Sequence, residues 1–468
     1  MTNISALQDP VDTLIHGGVV VTVDDQFTVL DPGWVHVVNG RIAATGSGVP
    51  PDSVQGSVKQ VIDASGAVVM PGMVNAHTHL FQSFFRGLAD DKSLLEWLRS
   101  CIWPGAVHLD YESAKLAALI GLVENIRTGA TSVIDHQYVH VDDQIDEAVC
   151  EAADELGLRL RLARGWADRN YEPTLTESAD VVVERTTRLR QGWIDHPRVR
   201  IELAPLIPWG CSDEAMQLTL EQAREWGVGT HIHCAETTTE VDMSIEERGM
   251  RHVEWLDSLG ALGPDLQLAH SVWLDDKELD LIGQHGAVVV HCPVSNMYLA
   301  SGVARILEMK ERGIVVALAS DGPGSNNRQD MFEVLKTTVL LQKVHHLDPI
   351  ALQPEDVVAM ACRGGARAFG SPEEIGTSDE LGQLVAGAKA DLVVVNLETV
   401  FASPVHRPVS SLVFCCSPAD VVHVMVDGRL LVEDGSLTMI DEAALINEAR
   451  EAAQRVFRRA GVESRLTR

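Results

Sequence analysis

With 468 residues, 46% hydrophobic and 22% charged, the chain is longer than one minimal domain and carries enough apolar material for a large core, which excludes wholesale disorder. Its 37 Lys+Arg against 67 Asp+Glu leave a formal charge of −30, which would repel a polyanion over most of the surface and excludes nucleic acid as the expected partner. The eight cysteines are scattered with no C-x-x-C pair, no run of about 18 apolar residues occurs, and the first residues lack a basic stretch followed by an apolar one, so reduced thiols, a cytoplasmic location and no membrane association are expected.

In chain order, residues 12–67 alternate short β-rich runs with turns, including an Asn39-Gly40 hairpin signal, and residues 381–437 repeat that style. Neither end buries a core alone, so residues 1–67 and 371–440 are expected to pair into one discontinuous β-sandwich. Between them, residues 68–370 alternate apolar runs with amphipathic segments, the pattern of repeated βα units. The predicted strands are Val68–His77, Ser132–His136, Leu158–Arg164, Val199–Pro205, Val228–Cys234, Leu266–His270, Ala287–Cys292 and Ile314–Asp321, a set that suits a closed (β/α)8 TIM barrel. Residues 441–468 contain a helix predicted to pack on the outside.

The first predicted strand ends in His77-Thr78-His79, whose i, i+2 spacing lets two imidazoles converge on one ion. An H-x-H alone is a weak signal. It gains weight because the fifth strand carries His231, His233 and, just beyond, Glu236, the sixth ends at His270 and the eighth at Asp321, each where a barrel places its chemistry. His231 shares the parity of His233, which is the better ligand because it lies at the strand end; His231 would sit one layer deeper.

These stretches, Pro71-Gly72-Met73-Val74-Asn75-Ala76-His77-Thr78-His79, Phe85-Arg86-Gly87-Leu88-Ala89-Asp90-Asp91, His233-Cys234-Ala235-Glu236, His291-Cys292-Pro293-Val294-Ser295-Asn296 and Ser320-Asp321-Gly322-Pro323-Gly324-Ser325-Asn326-Asn327, resemble the amidohydrolase superfamily, in particular its cytosine deaminase, 8-oxoguanine deaminase and triazine hydrolase branch. The resemblance implies one divalent metal, zinc by default and iron as the alternative, on His77, His79, His233 and Asp321. It implies Glu236, His270 and Asp321 as the catalytic groups, with Glu236 the general acid–base, acting through water whose pKa falls to about 7 on such an ion. Binuclear relatives use a lysine on the fourth strand; none lies between Lys115 and Lys277 here, which favours one metal.

For substrate contacts, Gln82 resembles a glutamine that reads an amide or ring nitrogen, Trp97 could stack on a flat ring or pack as core, and His136 lies in a stretch, Asp135-His136-Gln137-Tyr138, similar to that of 8-oxoguanine deaminase. Arg164 is similar in position to an arginine that contacts ribose, or could pair with Glu202; Asn326 follows the eighth strand. Nucleoside deaminases of this branch carry Pro-His near the end of the fourth strand, where this chain has Pro205-Leu206, so a free aminated purine, pterin, pyrimidine or s-triazine is the expected substrate, with a homo-oligomer as the expected assembly. The activity implied is hydrolytic deamination. The alternatives are displacement of chloride or an alkylamine from a triazine, cyclic amide hydrolysis, and a barrel without chemistry. No P-C-x-x-C follows His252-Val253-Glu254, and H-E-x-x-H is absent, which removes the cytidine deaminase fold and the zincin proteases.

Overall fold

The computed structural model describes residues 4–7, 9–88, 90–370 and 380–462. Eight parallel strands form the central sheet in strict chain order: Met73–Thr78, Ala130–Gln137, Arg159–Trp166, Val199–Pro205, Thr230–Cys234, Leu266–His270, Val288–His291 and Val316–Leu318. Helices follow the strands and cover the outside, giving the expected (β/α)8 barrel. The first and last strands approach each other, and the Asp321 N–H donates to the His77 carbonyl at 3.0 Å across that seam. Inside, Val74, Ala163, Ala204, Val290, Ala317 and Ala319 form an apolar plug of small and branched side chains.

The two chain ends build two further sheets. A four-stranded one runs in the order Arg41–Ser47, Gly33–Val38, Thr13–His16, Gln60–Asp63, and a seven-stranded one joins Ala67–Pro71 to Leu392–Asn396 by antiparallel pairing. Ile15, Val35 and Ile62 of the first share a core with Val69, Leu392 and Met425 of the second, so neither sheet is buried without the other. Asn39 and Gly40 both take positive φ (49° and 74°), the backbone a two-residue hairpin loop needs.

One expected strand is corrected. Val68–His77 is not continuous: Ala67–Pro71 belongs to the seven-stranded sheet, and the barrel begins at Met73. Gly72 separates them, where a Cβ would come within 2.2 Å of the Thr131 side chain, so only glycine lets the chain leave one sheet and enter the other at that point. The chain passes from the seven-stranded sheet into the barrel at Gly72. The division expected at 370/371 borders residues 371–379, which lie outside the described residues, as do 463–468 of the C-terminal segment.

The C-terminal helix Glu442–Arg459 lies against the helix Tyr111–Arg127, with the Phe457 ring 5.2 Å from that of Phe85 and an Arg455–Glu112 ion pair at 2.9 Å. No helix among the described residues is long and apolar enough to cross a membrane.

Candidate metal centre and active site

The first and second barrel strands pair as Asn75↔Val133 and then Thr78↔Asp135, three residues against two. This bulge adds one residue to the first strand and re-aims its end. Ala76 thus packs in the interior apolar plug while His77 and His79 both turn to the barrel mouth, their rings 4.7 Å apart and nearly perpendicular. Ala235, His270 and Asp321, at or just beyond the ends of strands five, six and eight, have φ of 47°, 67° and 64°. A left-handed backbone costs a non-glycine residue about 1–2 kcal/mol, and three such residues around one point mark a place where the fold accepts strain to aim side chains.

The hydrogen bonds behind the imidazoles fix their tautomers. His79 Nδ1 is 2.6 Å from the His136 carbonyl oxygen, and His233 Nδ1 is 2.7 Å from that of Leu206. A carbonyl only accepts, so each Nδ1 carries the proton and each Nε2 of the neutral ring presents a lone pair. Burial keeps the rings neutral: burial and the neighbouring His77 push His79 down to about 3, and the same causes hold His233 well below its ordinary value. His77 is fixed through a relay, its Nδ1 2.8 Å from His231 Nε2 and His231 Nδ1 3.2 Å from Gln267 Oε1. That chain of donors leaves His77 Nε2 bare too, and it has no hydrogen-bond partner.

The bare nitrogens face one another. His233 Nε2 and His79 Nε2 are 3.3 Å apart, and Asp321 Oδ1 is 3.4 Å from the Nε2 of both His77 and His79. Asp321 Oδ2 accepts from the Ser295 and Ser325 hydroxyls (2.5 and 2.8 Å), and Oδ1, which takes the Gly322 N–H at 2.6 Å, is aimed at the rings. Burial would raise the Asp321 carboxyl, but the neighbouring His270 opposes it, and the carboxyl lies well below the usual carboxylate range. Lone pairs so disposed repel unless a cation takes them up. Three neutral nitrogens and one carboxylate are a donor set that fits a divalent metal ion.

Beside this cluster, Glu236 Oε2 stands 3.7 Å from His270 Nε2. Ser301 donates to Glu236 Oε1 at 3.0 Å, and His270 Nδ1 is 2.9 Å from Asn296 Oδ1. Burial pushes Glu236 up to about 7, with His270 opposing and Glu240 and Asp321 adding to the rise. Burial would lower His270, but the Glu236 and Asp321 carboxylates outweigh it and raise it. A carboxyl near neutrality next to an imidazole is suited to move a proton at pH 7.

A cavity of about 410 Å³, counting its open mouth, reaches His79, His233, Glu236, His270 and Asp321. Of the five residues expected to touch substrate, Trp97 lines it, with its indole N–H on the Gly324 carbonyl at 2.9 Å. The other four do not line it. Gln82 is fully buried, its amide taken by Tyr138 (3.0 Å) and the Gly324 N–H (3.1 Å). His136 lies behind His233, rings 4.9 Å apart, with both nitrogens unpartnered. Asn326 turns back onto the Ser320 carbonyl and the Arg328 N–H.

Arg164 is corrected on strand parity. Arg161 and Ala163 point inward, Arg161 to Glu202 at 3.2 Å, so Arg164 faces the helices, bonded to Asp146 (3.1 Å) and Glu177 (2.9 Å). Leu206 and Ile207, in the stretch after the fourth strand already singled out, help supply the walls, together with Tyr171, Trp209 and Leu299, which sequence reasoning missed. A signal was present for Trp209, an aromatic four residues past the end of the fourth strand, where a barrel puts its binding loops.

A (β/α)8 barrel with such a cluster at the C-terminal mouth of its strands has the architecture of metal-dependent enzymes, hydrolases among them. The chain belongs to the amidohydrolase family, which it matches over residues 68–431. It is 37% identical to a 5′-deoxyadenosine deaminase of Methanosarcina mazei over 96% of this chain and 99% of that one. In structure it resembles an adenosine deaminase from Xanthomonas campestris with bound zinc, at TM-score 0.88 and 30% identity over 96% of this chain and 99% of the other. It also resembles the atrazine chlorohydrolase TrzN of Arthrobacter aurescens, in a mutant complexed with zinc and atraton, at TM-score 0.87 and 25% identity over 94% and 100%.

Proposed function

We propose that the protein removes an exocyclic amino group from an N-heterocycle by hydrolysis, with one divalent ion held by His77, His79, His233 and Asp321. The observation that carries this is the pair of bare Nε2 atoms of His79 and His233 at 3.3 Å beside a carboxyl, Glu236, raised to about 7. When bound, the ion supplies Lewis acidity and an activated water at neutral pH. Asp321, ionised and with Oδ1 free of side-chain hydroxyls, takes a proton from the attacking water. Protonated Glu236 gives its proton to a ring nitrogen next to the attacked carbon and, once recharged, to the departing amino group, so that ammonia leaves as the ring gains oxygen. His270, held by Asn296, steadies the attacking oxygen. Zinc is the preferred ion, supported by the donor set and by the zinc in both structural relatives.

A second reading, displacement of chloride or an alkylamine from a triazine, is supported by the likeness to the chlorohydrolase and by Leu206 in the wall. Metal analysis followed by assay of ammonia, amine and chloride over aminated purines, pterins, pyrimidines, s-triazines and 5′-deoxyadenosine separates the two. Ammonia release by the zinc-loaded chain is the expected result. Chloride or amine release without ammonia from any member of the panel would replace deamination by the second reading.

A further inference from the structure

The cavity has two unlike halves. At its floor stand the histidines, Glu236 and Asp321; beyond them, no charged side chain lines it among the described residues. The hydroxyls there are largely engaged: Ser325 donates to Asp321 at 2.8 Å, and Tyr138 accepts from Gln82 at 3.0 Å. Neither Asp90 nor Glu240 lines the cavity: Asp90 accepts from Tyr298 at 2.6 Å and Glu240 receives the Trp209 indole N–H at 3.2 Å.

That last bond makes Trp209 a fixed wall. Glu240 sits four residues past Glu236, and its second oxygen takes the Thr237 N–H and hydroxyl at 3.0 and 2.9 Å, so its carboxylate has one orientation to offer the indole. The Trp209 ring lies 5.7 Å from that of Tyr171 at 30°, leaving an aromatic surface at the cavity side. The turn that carries it, Pro208–Gly210, begins two residues after Leu206, whose carbonyl holds His233. Wall and candidate ligand are therefore set by one short piece of chain.

We infer that this cavity selects an uncharged heterocycle whose part beyond the reacting ring is apolar, and that Trp209, clamped by Glu240, sets that preference. The inference rests on the deamination reading for the orientation of the ring, reacting end towards Glu236. A hydroxyl buried without a partner weakens binding by about ten- to a hundredfold, and an unpaired phosphate by more, whereas an alkyl group meets aromatic and aliphatic carbon. An alkylated or bare ring thus outranks its riboside, and the riboside outranks its phosphate.

The test is calorimetric binding of 9-ethyladenine, adenosine and adenosine 5′-monophosphate to the zinc-loaded protein, with ammonia release measured in parallel. The ethyl compound is expected to bind at least about tenfold tighter than adenosine, and the monophosphate at least about a hundredfold weaker than adenosine. Trp209→Ala, which lets water into the wall, should compress the series to within about threefold. If that variant does not fold, Glu240→Ala, which leaves the indole in place but unclamped, should narrow the series in the same sense. Equal or reversed affinities in the unmodified protein overturn the inference, as does a series left unchanged when the wall or its clamp is altered. The expected binding order without ammonia from any heterocycle would uphold the selectivity and remove the deamination reading, so the two failures are distinguishable.

Discussion

Glu236 and His270 meet at 3.7 Å, Oε2 to Nε2, each braced from behind, Glu236 by the Ser301 hydroxyl and His270 by Asn296. Burial brings the carboxyl to about 7. Acting as an acid, it is fully protonated well below that value and loses its proton as the pH rises through it. The kcat profile should therefore fall on its alkaline side from about pH 7, by about tenfold per pH unit. Glu236→Gln should lower kcat by about a hundredfold or more and abolish that limb. A limb that persists in the variant would assign it to another group.

Removing the metal should be felt in stability as well as turnover. Three bare nitrogens and a carboxylate gathered in one place repel without a cation, so a chelated sample should melt at lower temperature and recover on zinc addition. At a free metal concentration about 100 times the Kd, linkage gives about 2.7 kcal/mol. His233→Ala should bind less than stoichiometric metal and lose most of the zinc-dependent rise. A chain that melts identically with and without metal would contradict the proposed centre.

Arg164 is bonded to neighbouring acids and does not line the cavity. It is almost completely buried between Asp146 and Glu177, which have second partners in His140 and Arg185 at 3.0 and 2.7 Å. Arg164→Ala leaves both acids short of a cation and should cost about 3 kcal/mol, at the low end for a broken buried pair because those partners remain. Denaturant unfolding reads this directly. KM in the folded protein should stay within about twofold; a large rise in KM with stability intact would return Arg164 to the substrate.

Asp135 lies at the end of the second strand with one oxygen on the Leu80 N–H at 2.8 Å and the other unpartnered. Burial raises it to about 8 from the model-compound value of 3.8. Between those values the unfolded chain has released the proton and the folded chain keeps it, so stability falls as pH rises through that window. Asp135→Asn keeps an oxygen for Leu80 and removes the linkage. The variant should gain several kcal/mol over the unmodified protein at pH 8 and little at pH 4. Parallel pH-dependent melting curves for the two proteins would rule this out.

The barrel, its eight strands and the gathering of His77, His79, His233, Glu236, His270 and Asp321 were legible in the sequence. Strand periodicity is local, and a barrel collects the C-terminal ends of its strands at one mouth, so a polar residue at each strand end implies a common site. The contacts of longer side chains were not legible in the same way. Arg164 was expected to reach ribose or Glu202 because its strand was known but its parity was not, and a shift of one residue exchanges the inner and outer faces.

What the tertiary structure alone decided is how the ligand-type side chains are held and what surrounds them. The bulge after Asn75 turns both His77 and His79 to the mouth, and the carbonyls of His136 and Leu206, 57 and 27 residues away from the rings they orient, select the tautomers. The cavity walls at Tyr171 and Trp209 come from loops whose course follows from barrel closure. Residue type and spacing specify the chemistry available; register, parity and loop path specify which lone pair faces which, and those are set only when the strands pair.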